Sequence, residues 1–258
     1  MTIKAVFADI DGTLYSHTAG RIPQSALAAI RDAREQGILV FAATGRHKGE
    51  IADLNIDLEL DGWITLNGAL CYSDKEIWYK APVCGNDLRA LLAFLKENPF
   101  PCQFMEEDLM YINMEDDAVR RSLATIHTPY PAVIDPVRAL EHDTYMVIPW
   151  VSESIWQKVS SRMKDTVYTR WNDLAADAMS RYAGKRQGVE AACRYFGIDP
   201  QETAAFGDGP NDLSLFEACG LSIAMGNSSE DVKRAADLIA DDIDQDGFEK
   251  AVRQYILK

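Results

Sequence analysis

Val6-Phe7-Ala8-Asp9-Ile10-Asp11-Gly12-Thr13-Leu14 is an apolar run that ends in two carboxylates one residue apart. In an extended strand residues i and i+2 project to the same side, so Asp9 and Asp11 emerge side by side where Gly12 turns the chain. Two anions that close repel, and a hard cation or a proton must compensate them. Mg²⁺ held by one or two carboxylates and a substrate phosphate is a common solution, and a metal-assisted phosphate site is the first expectation. The plain alternative is a solvated Asp-Gly-Thr turn, since Asp and Gly both favour turns. An EF-hand fits less well: its glycine stands sixth and its glutamate twelfth, whereas here Gly12 is fourth and position 20 is Gly20.

Strand and helix signals alternate outward from this stretch. Ile3 to Ala8 is a short continuous apolar run, as in a parallel strand buried on both faces. Gln24 to Gln36 carries Ala26, Leu27, Ile30 and Ala33 at helical spacing, after Pro23 and before Gly37. Ile38 to Ala43 is the next strand, ending at Thr44-Gly45-Arg46, and Trp63 to Leu66 another, ending at Asn67-Gly68. Strand, helix, strand implies a right-handed crossover and a parallel sheet. The rhythm returns late: a helix over Gly188 to Phe196, a strand over Thr203 to Phe206 ending at Gly207-Asp208-Gly209, a helix over Leu213 to Cys219, and short strands over Leu221 to Met225 and Leu238 to Ala240. The polar clusters fall at the C-terminal ends of strands, the edge where open parallel sheets bind ligands.

The middle of the chain reads as α+β. Asp87 to Lys96 and Ser152 to Met163 are helical, the latter with Ser152 as N-cap and Glu153 in its first turn. Gln103 to Glu106, Met110 to Met114, Thr144 to Trp150 and Val167 to Trp171 are strand candidates. The expected fold is α/β, a parallel-sheet core of residues 1–82 and 184–258 with an inserted α+β domain over 83–183, crossed near Pro82 and Gly184.

Composition narrows the function classes. Forty acidic against 26 basic residues give a formal charge of −14, which repels nucleic acid and anionic membranes. No stretch approaches the roughly 20 apolar residues of a membrane span, and no signal pattern precedes the first strand; a cytoplasmic location is expected. Five scattered cysteines without a Cys-x-x-Cys pair suggest neither a disulfide framework nor a zinc site. A negative protein that handles phosphate must concentrate positive charge locally, in a metal and a few chosen basic side chains.

The candidates for that chemistry follow from the strand ends. Asp9 can attack phosphorus and split a difficult hydrolysis into two steps, while Asp11 can give a proton to the leaving oxygen and later take one from water. Thr44 offers a hydroxyl, with backbone N–H groups beside it, although a capping Thr-Gly turn has the same sequence. Lys185 is the candidate positive charge; its alternative is a solvated surface lysine. In Gly207-Asp208-Gly209-Pro210-Asn211-Asp212, Asp208 can reach a metal and Asp212, one helical turn further on, can orient the other ligands. Arg46, His47 and Asn67-Gly68 lie on loops that can line the mouth, and Trp150, Trp156 and Trp171 can either stack on a ligand or fill a core.

Asp9-x-Asp11-Gly12-Thr13, Thr44-Gly45-Arg46, Lys185 and Gly207-Asp208-Gly209-x-Asn211-Asp212, in this order, resemble the motifs of haloacid dehalogenase-like phosphatases. With the insert between the Thr and Lys motifs, the whole chain resembles the Cof-type branch, whose cap is a large α/β domain. The resemblance implies a Rossmann-like core, Asp9 as nucleophile and Asp11 as acid/base. It also implies Mg²⁺ on Asp9, the Asp11 carbonyl and Asp208 with Asp212 in support, and a phosphoryl group held by Thr44, Gly45, Lys185 and Asn211. Many relatives follow the motif lysine with Gly, whereas Arg186 follows here and glycine comes at Gly188, so Lys185 and Arg186 both remain candidates.

The expected function is an Mg²⁺-dependent phosphatase of a small phosphorylated metabolite, sugar phosphates first, with discrimination by the inserted domain. A phosphomutase shares the intermediate. A receiver-like signalling module shares the acids, Thr, Lys and Mg²⁺, but is about half as long and has no insert.

Overall fold

The computed structural model describes residues 2–54, 58–125 and 128–257 and divides into two units. The first comprises Met1–Arg46, Leu54–Tyr79 and Gly184–Lys258, and the second His47–Asp53 and Lys80–Ala183.

In the first unit, the continuous apolar runs become strands buried on both faces. β1 (Ala5–Ala8), β2 (Leu39–Ala43), β3 (Gly62–Thr65), β4 (Leu70–Tyr72) and β5 (Ile77–Lys80) form one side of its sheet. The strands numbered β12 (Thr203–Gly207), β13 (Leu221–Ala224) and β14 (Leu238–Ile239) form the other; β6 to β11 belong to the second unit and are given below. The order is β14-β13-β12-β1-β2-β3-β4-β5, parallel from β14 to β3, with β4 antiparallel to β3. β1 is central: Phe7 pairs with Ala205 on one side and Phe41 on the other, and the two phenyl rings stack at 4.8 Å.

The helix Gln24–Glu35 buries Ala26, Ala29, Ile30 and Ala33 against this sheet, each at the expected spacing. It stops because Gly37 adopts φ +77°, which lets the Gly37 and Ile38 N–H groups donate back to the Arg34 and Ala33 carbonyls. The other face is covered by the helix Lys185–Phe196, whose Val189, Ala192 and Cys193 pack on Phe7, Phe41 and Ile64.

In the second unit, β6 (Cys102–Met105), β7 (Met110–Ile112), β8 (Ala132–Val133), β9 (Met146–Pro149), β10 (Thr166–Arg170) and β11 (Ala176–Ser180) form a sheet in the order β10-β11-β9-β6-β7-β8. It is antiparallel except for the β7–β8 pair. The period of two sends Cys102, Phe104, Val147 and Ala178 to one face, where the helices Gly85–Glu97 and Glu153–Ser160 cover them. Trp156 is fully buried in that core. Asp87 is buried as well, its carboxylate accepting from the Lys164 and Asp165 N–H groups and the Thr166 hydroxyl.

Several elements differ from the sequence expectation. The segment His47–Asp53, expected in the core, groups with the inserted unit because its partners lie there. His47 Nε2 is 3.0 Å from the Glu106 carbonyl oxygen, and Lys48 pairs with Asp108. The expected helix at Gly188 begins at Lys185, and that at Leu213 ends at Phe216. The helix Asp117–Thr125, with Val119 and Leu123 buried four residues apart, and strand β11 lie outside the sequence expectation. Trp150 is buried with its indole N–H donating to Gln103, and Trp171 meets it edge-on at 5.5 Å. No helix among the described residues is long and apolar enough to cross a membrane.

Candidate active site

Three neighbouring parallel strands deliver two acidic residues and a threonine to one edge. β1 ends before Asp9, β2 before Thr44 and β12 before Asp208, all at their C-terminal ends. The Asp9 N–H still donates to the Phe206 carbonyl at 2.9 Å, so Asp9 leaves the sheet as the last residue in register.

Lys185 ties the acids together. Its Nζ donates to Asp9 Oδ1 at 2.7 Å and to Asp212 Oδ1 at 2.6 Å, and its side chain is 1% exposed. The helix that carries it sits unusually close to the sheet: a Cβ on Gly188 would fall 2.4 Å from Ile64 Cγ2, so glycine is required at the contact. Arg186 points away, exposed, to Glu190 and Glu217. The buried lysine is therefore Lys185.

Asp9, Asp208 and Asp212 each offer a carboxylate oxygen within 4.8 Å of the others. Burial pushes the Asp9 carboxyl well above its ordinary range, reinforced by the charges of Asp212 and Asp11 and opposed by Lys185. Burial, followed by the Asp212 charge, raises Asp208 to about 6. For Lys185 burial acts to lower the pKa, but the charges of Asp212 and Asp9 outweigh it and hold the ammonium protonated.

Asp212 reaches this position by a route other than a shared helix face. Only a short 3₁₀ turn spans Pro210–Asp212, and the Asp212 Oδ2 accepts from the Asp208 and Gly209 N–H groups at 3.0 and 2.9 Å. The carboxylate shapes the loop that presents Asp208 while its other oxygen takes Lys185.

Asp11 stands near enough for its charge to reinforce burial in raising both Asp9 and Asp208, while its carboxylate is not part of the 4.8 Å cluster. Its carboxylate is gripped by Arg46, Nε to Oδ2 and Nη2 to Oδ1 both at 2.7 Å, with His17 Nε2 at 3.1 Å. The chain has already left the strand there, as Gly12 turns at φ +76°. A Cβ on Gly12 would lie 2.2 Å from Asp208 Oδ2, so the turn also permits the close approach of the two loops. Thr44 is buried, and its Oγ accepts the Arg46 N–H at 3.1 Å, leaving the hydroxyl proton to donate. The Gly45 backbone lies against the Asn67 side chain, and Asn211 Nδ2 is 3.4 Å from Asn67 Oδ1.

The structure thus gathers Asp9, Asp208, Asp212 and Lys185 directly, with the Asp11 carboxylate held on Arg46. That Arg46 role went unread; its signal was the strand end it shares with Thr44.

The donor set fits a hard divalent cation. All three clustered ligands are carboxylate oxygens, the type Mg²⁺ prefers. Three carboxylates face one ammonium, and burial, reinforced by the neighbouring carboxylates, raises the Asp9 and Asp208 pKa values.

Residues 6–252 match the model of the haloacid dehalogenase-like hydrolases, and the chain belongs to that family. Among solved structures it resembles the subclass IIB sugar phosphatase BT4131, with a TM-score of 0.83 at 33% identity over 98% of both chains. It also resembles the phosphatase BT1666 from Bacteroides thetaiotaomicron, with a TM-score of 0.88 at 28% identity over 98% of this chain and 95% of that one. YkrA of Bacillus subtilis (strain 168), named provisionally as a phosphatase, is 30% identical over 255 residues, 98% of each chain.

Proposed function

We propose that this hydrolase is an Mg²⁺-dependent phosphatase of small phosphorylated metabolites, sugar phosphates first, working through a phosphoryl group carried on Asp9. The observation that carries the reading is the Lys185 ammonium buried between Asp9 and Asp212, with Asp208 completing an all-oxygen cluster. The sugar phosphatase BT4131 supports the substrate class.

Asp9 is the nucleophile. One of its carboxylate oxygens bonds to phosphorus as the ester P–O bond breaks, and the electron pair of that bond goes to the departing oxygen. Asp11 protonates that oxygen, then takes a proton from the water that attacks the Asp9 acyl phosphate and frees inorganic phosphate. Because Arg46 grips both Asp11 oxygens, this ion pair must loosen before a proton can be carried there. Lys185 holds the Asp9 carboxylate in place and neutralises phosphoryl charge, while Thr44, the Gly45 N–H and Asn211 hold the other oxygens. Asp9, Asp208 and the Asp11 carbonyl would hold Mg²⁺, with Asp212 orienting them. When bound, it supplies the positive charge that offsets both the acidic cluster and the phosphoryl oxygens.

A phosphate-release screen over sugar phosphates, nucleotides, phosphoglycolate and pyridoxal phosphate, with and without Mg²⁺, tests this. Release from sugar phosphates that needs Mg²⁺ and disappears in a folded Asp9→Asn variant is the expected result. Turnover by Asp9→Asn at the wild-type rate would refute the role of Asp9, and isomerised sugar phosphate without free phosphate would indicate a mutase.

A further inference from the structure

One more strand end closes on the acidic cluster. β13 runs out into Met225-Gly226-Asn227, and the Asn227 carboxamide bridges three loops. Its Oδ1 accepts the Ile243 N–H at 3.1 Å, which fixes the orientation of the amide and turns Nδ2 toward the nucleophile loop. Nδ2 donates to the Gly12 carbonyl at 2.8 Å and lies 3.5 Å from Asp208 Oδ2.

The contact matters because of where Gly12 stands. The Gly12 N–H donates to the Tyr15 carbonyl at 3.0 Å, and in a trans peptide the Asp11 carbonyl must then point the opposite way. The following peptide is held at both ends, its oxygen by Asn227 and its Thr13 N–H by the Ile10 carbonyl at 3.3 Å. The Asp11 carbonyl thus belongs to the first of two adjoining pinned peptide units. On the other side, the Thr13 hydroxyl lies 3.4 Å from Asp208 Oδ1, so Asp208 is flanked by Thr13 and Asn227. Gly12 and Asp208 approach so closely that a single methyl would collide, and Asn227 is the side chain that spans both.

We infer that Asn227 is a positioning residue that ties the Asp9–Thr13 loop to Asp208 and so sets the spacing of the oxygens that hold Mg²⁺. This rests on reading the cluster as an Mg²⁺ site. Asn227 touches no reacting atom; it acts through the Gly12 carbonyl and the Asp208 carboxylate. Partners of this kind behind metal ligands typically contribute 10- to 100-fold to metal affinity. Asn227 is exposed and holds Asp208 only by a long contact, which places its effect near the lower bound.

The test is Asn227→Ala in the full chain, with Mg²⁺ affinity measured without substrate, from the rise in melting temperature as Mg²⁺ is titrated. The Mg²⁺ dissociation constant should weaken by about 10-fold. The KM for Mg²⁺ should rise in parallel, while kcat at saturating Mg²⁺ stays close to that of the wild type. An unchanged dissociation constant overturns the inference, even if the variant melts lower in metal-free buffer, because that pattern belongs to a side chain that only braces the loop. A wild-type protein that shows no Mg²⁺ response overturns the metal reading, and the inference falls with it.

Discussion

Replacing Lys185 by Met should destabilise the protein by about 3–5 kcal/mol at neutral pH in metal-free buffer, the usual cost of removing one partner from a buried ion pair. The structure supports this range. The ammonium lies 2.7 Å from one carboxylate and 2.6 Å from another, and neither its own side chain nor that of Asp212 reaches water. At an effective dielectric constant of about 20, two unit charges this close attract by roughly 6 kcal/mol before the cost of burying them is counted. The relief of no longer burying a lysine offsets part of the two lost attractions. Met fills most of the aliphatic stem, so little of the loss comes from a cavity. Urea unfolding at unchanged m-value measures it, and Arg186→Met is the control. Arg186 pairs with Glu190 and Glu217 in the open, where such contacts contribute at most about 1 kcal/mol. Mg²⁺ should restore more stability to Lys185→Met than to the wild type, because the variant presents three carboxylates without an internal cation. Equal costs for the two substitutions would refute the claim that the buried Lys185 ammonium, paired with Asp9 and Asp212, holds the cluster together.

Asp11→Asn should lose most activity on alkyl phosphates and least on substrates whose leaving group departs without a proton; equal losses across leaving groups would count against an acid role. Gly12→Ala forces a left-handed residue and a methyl into Asp208, so it should cost at least about 1–2 kcal/mol. It should also abolish the rise in melting temperature with Mg²⁺, and a full Mg²⁺ response would contradict the close-approach argument. His47 is buried with Nδ1 accepting the Gly49 N–H at 3.0 Å, and burial lowers its pKa below the ordinary 6.5. Folding therefore favours the neutral ring: its contribution is complete above about pH 6.5 and fades as pH falls through the lower folded value. Wild type should lose stability relative to His47→Gln as pH falls below about 6.5, as read by urea midpoints; a difference independent of pH would exclude His47 as the titrating group.

The sheet was legible because its strands are short apolar runs that stop abruptly at polar clusters, and Asp9, Thr44 and Asp208 stand directly on those stops. Period-two logic brings Asp11 near Asp9, close enough for its charge to reinforce burial in raising that carboxyl, but does not reveal its partner. It holds only while the backbone stays extended, and by Gly12 the chain has turned to positive φ. The partner that captures Asp11, Arg46, comes from 35 residues away, a distance no local pattern spans. Asp212 was rightly grouped with Asp208 but for the wrong cause, since the link is a carboxylate accepting loop N–H groups rather than a helix face. The choice between Lys185 and Arg186 was undecidable from composition, because adjacent helical residues differ by about 100° in direction, and only packing against Ile64 through Gly188 selects the inward one.

The acidic cluster also separates what folding needs from what function needs. A core sheet with Phe7, Phe41 and Phe206 fully buried requires no carboxylates at its edge. Burying Asp9 and Asp212 on one lysine while Asp208 stands beside them raises the pKa of Asp9 and Asp208, which means the folded state pays to keep them ionised. Hydrophobic residues of similar volume would relieve that cost. Such a standing surplus of negative charge is intelligible if a cation completes it. The same strain that weakens the resting protein would then favour binding of that cation, whose charge in turn would offset that of the phosphoryl oxygens.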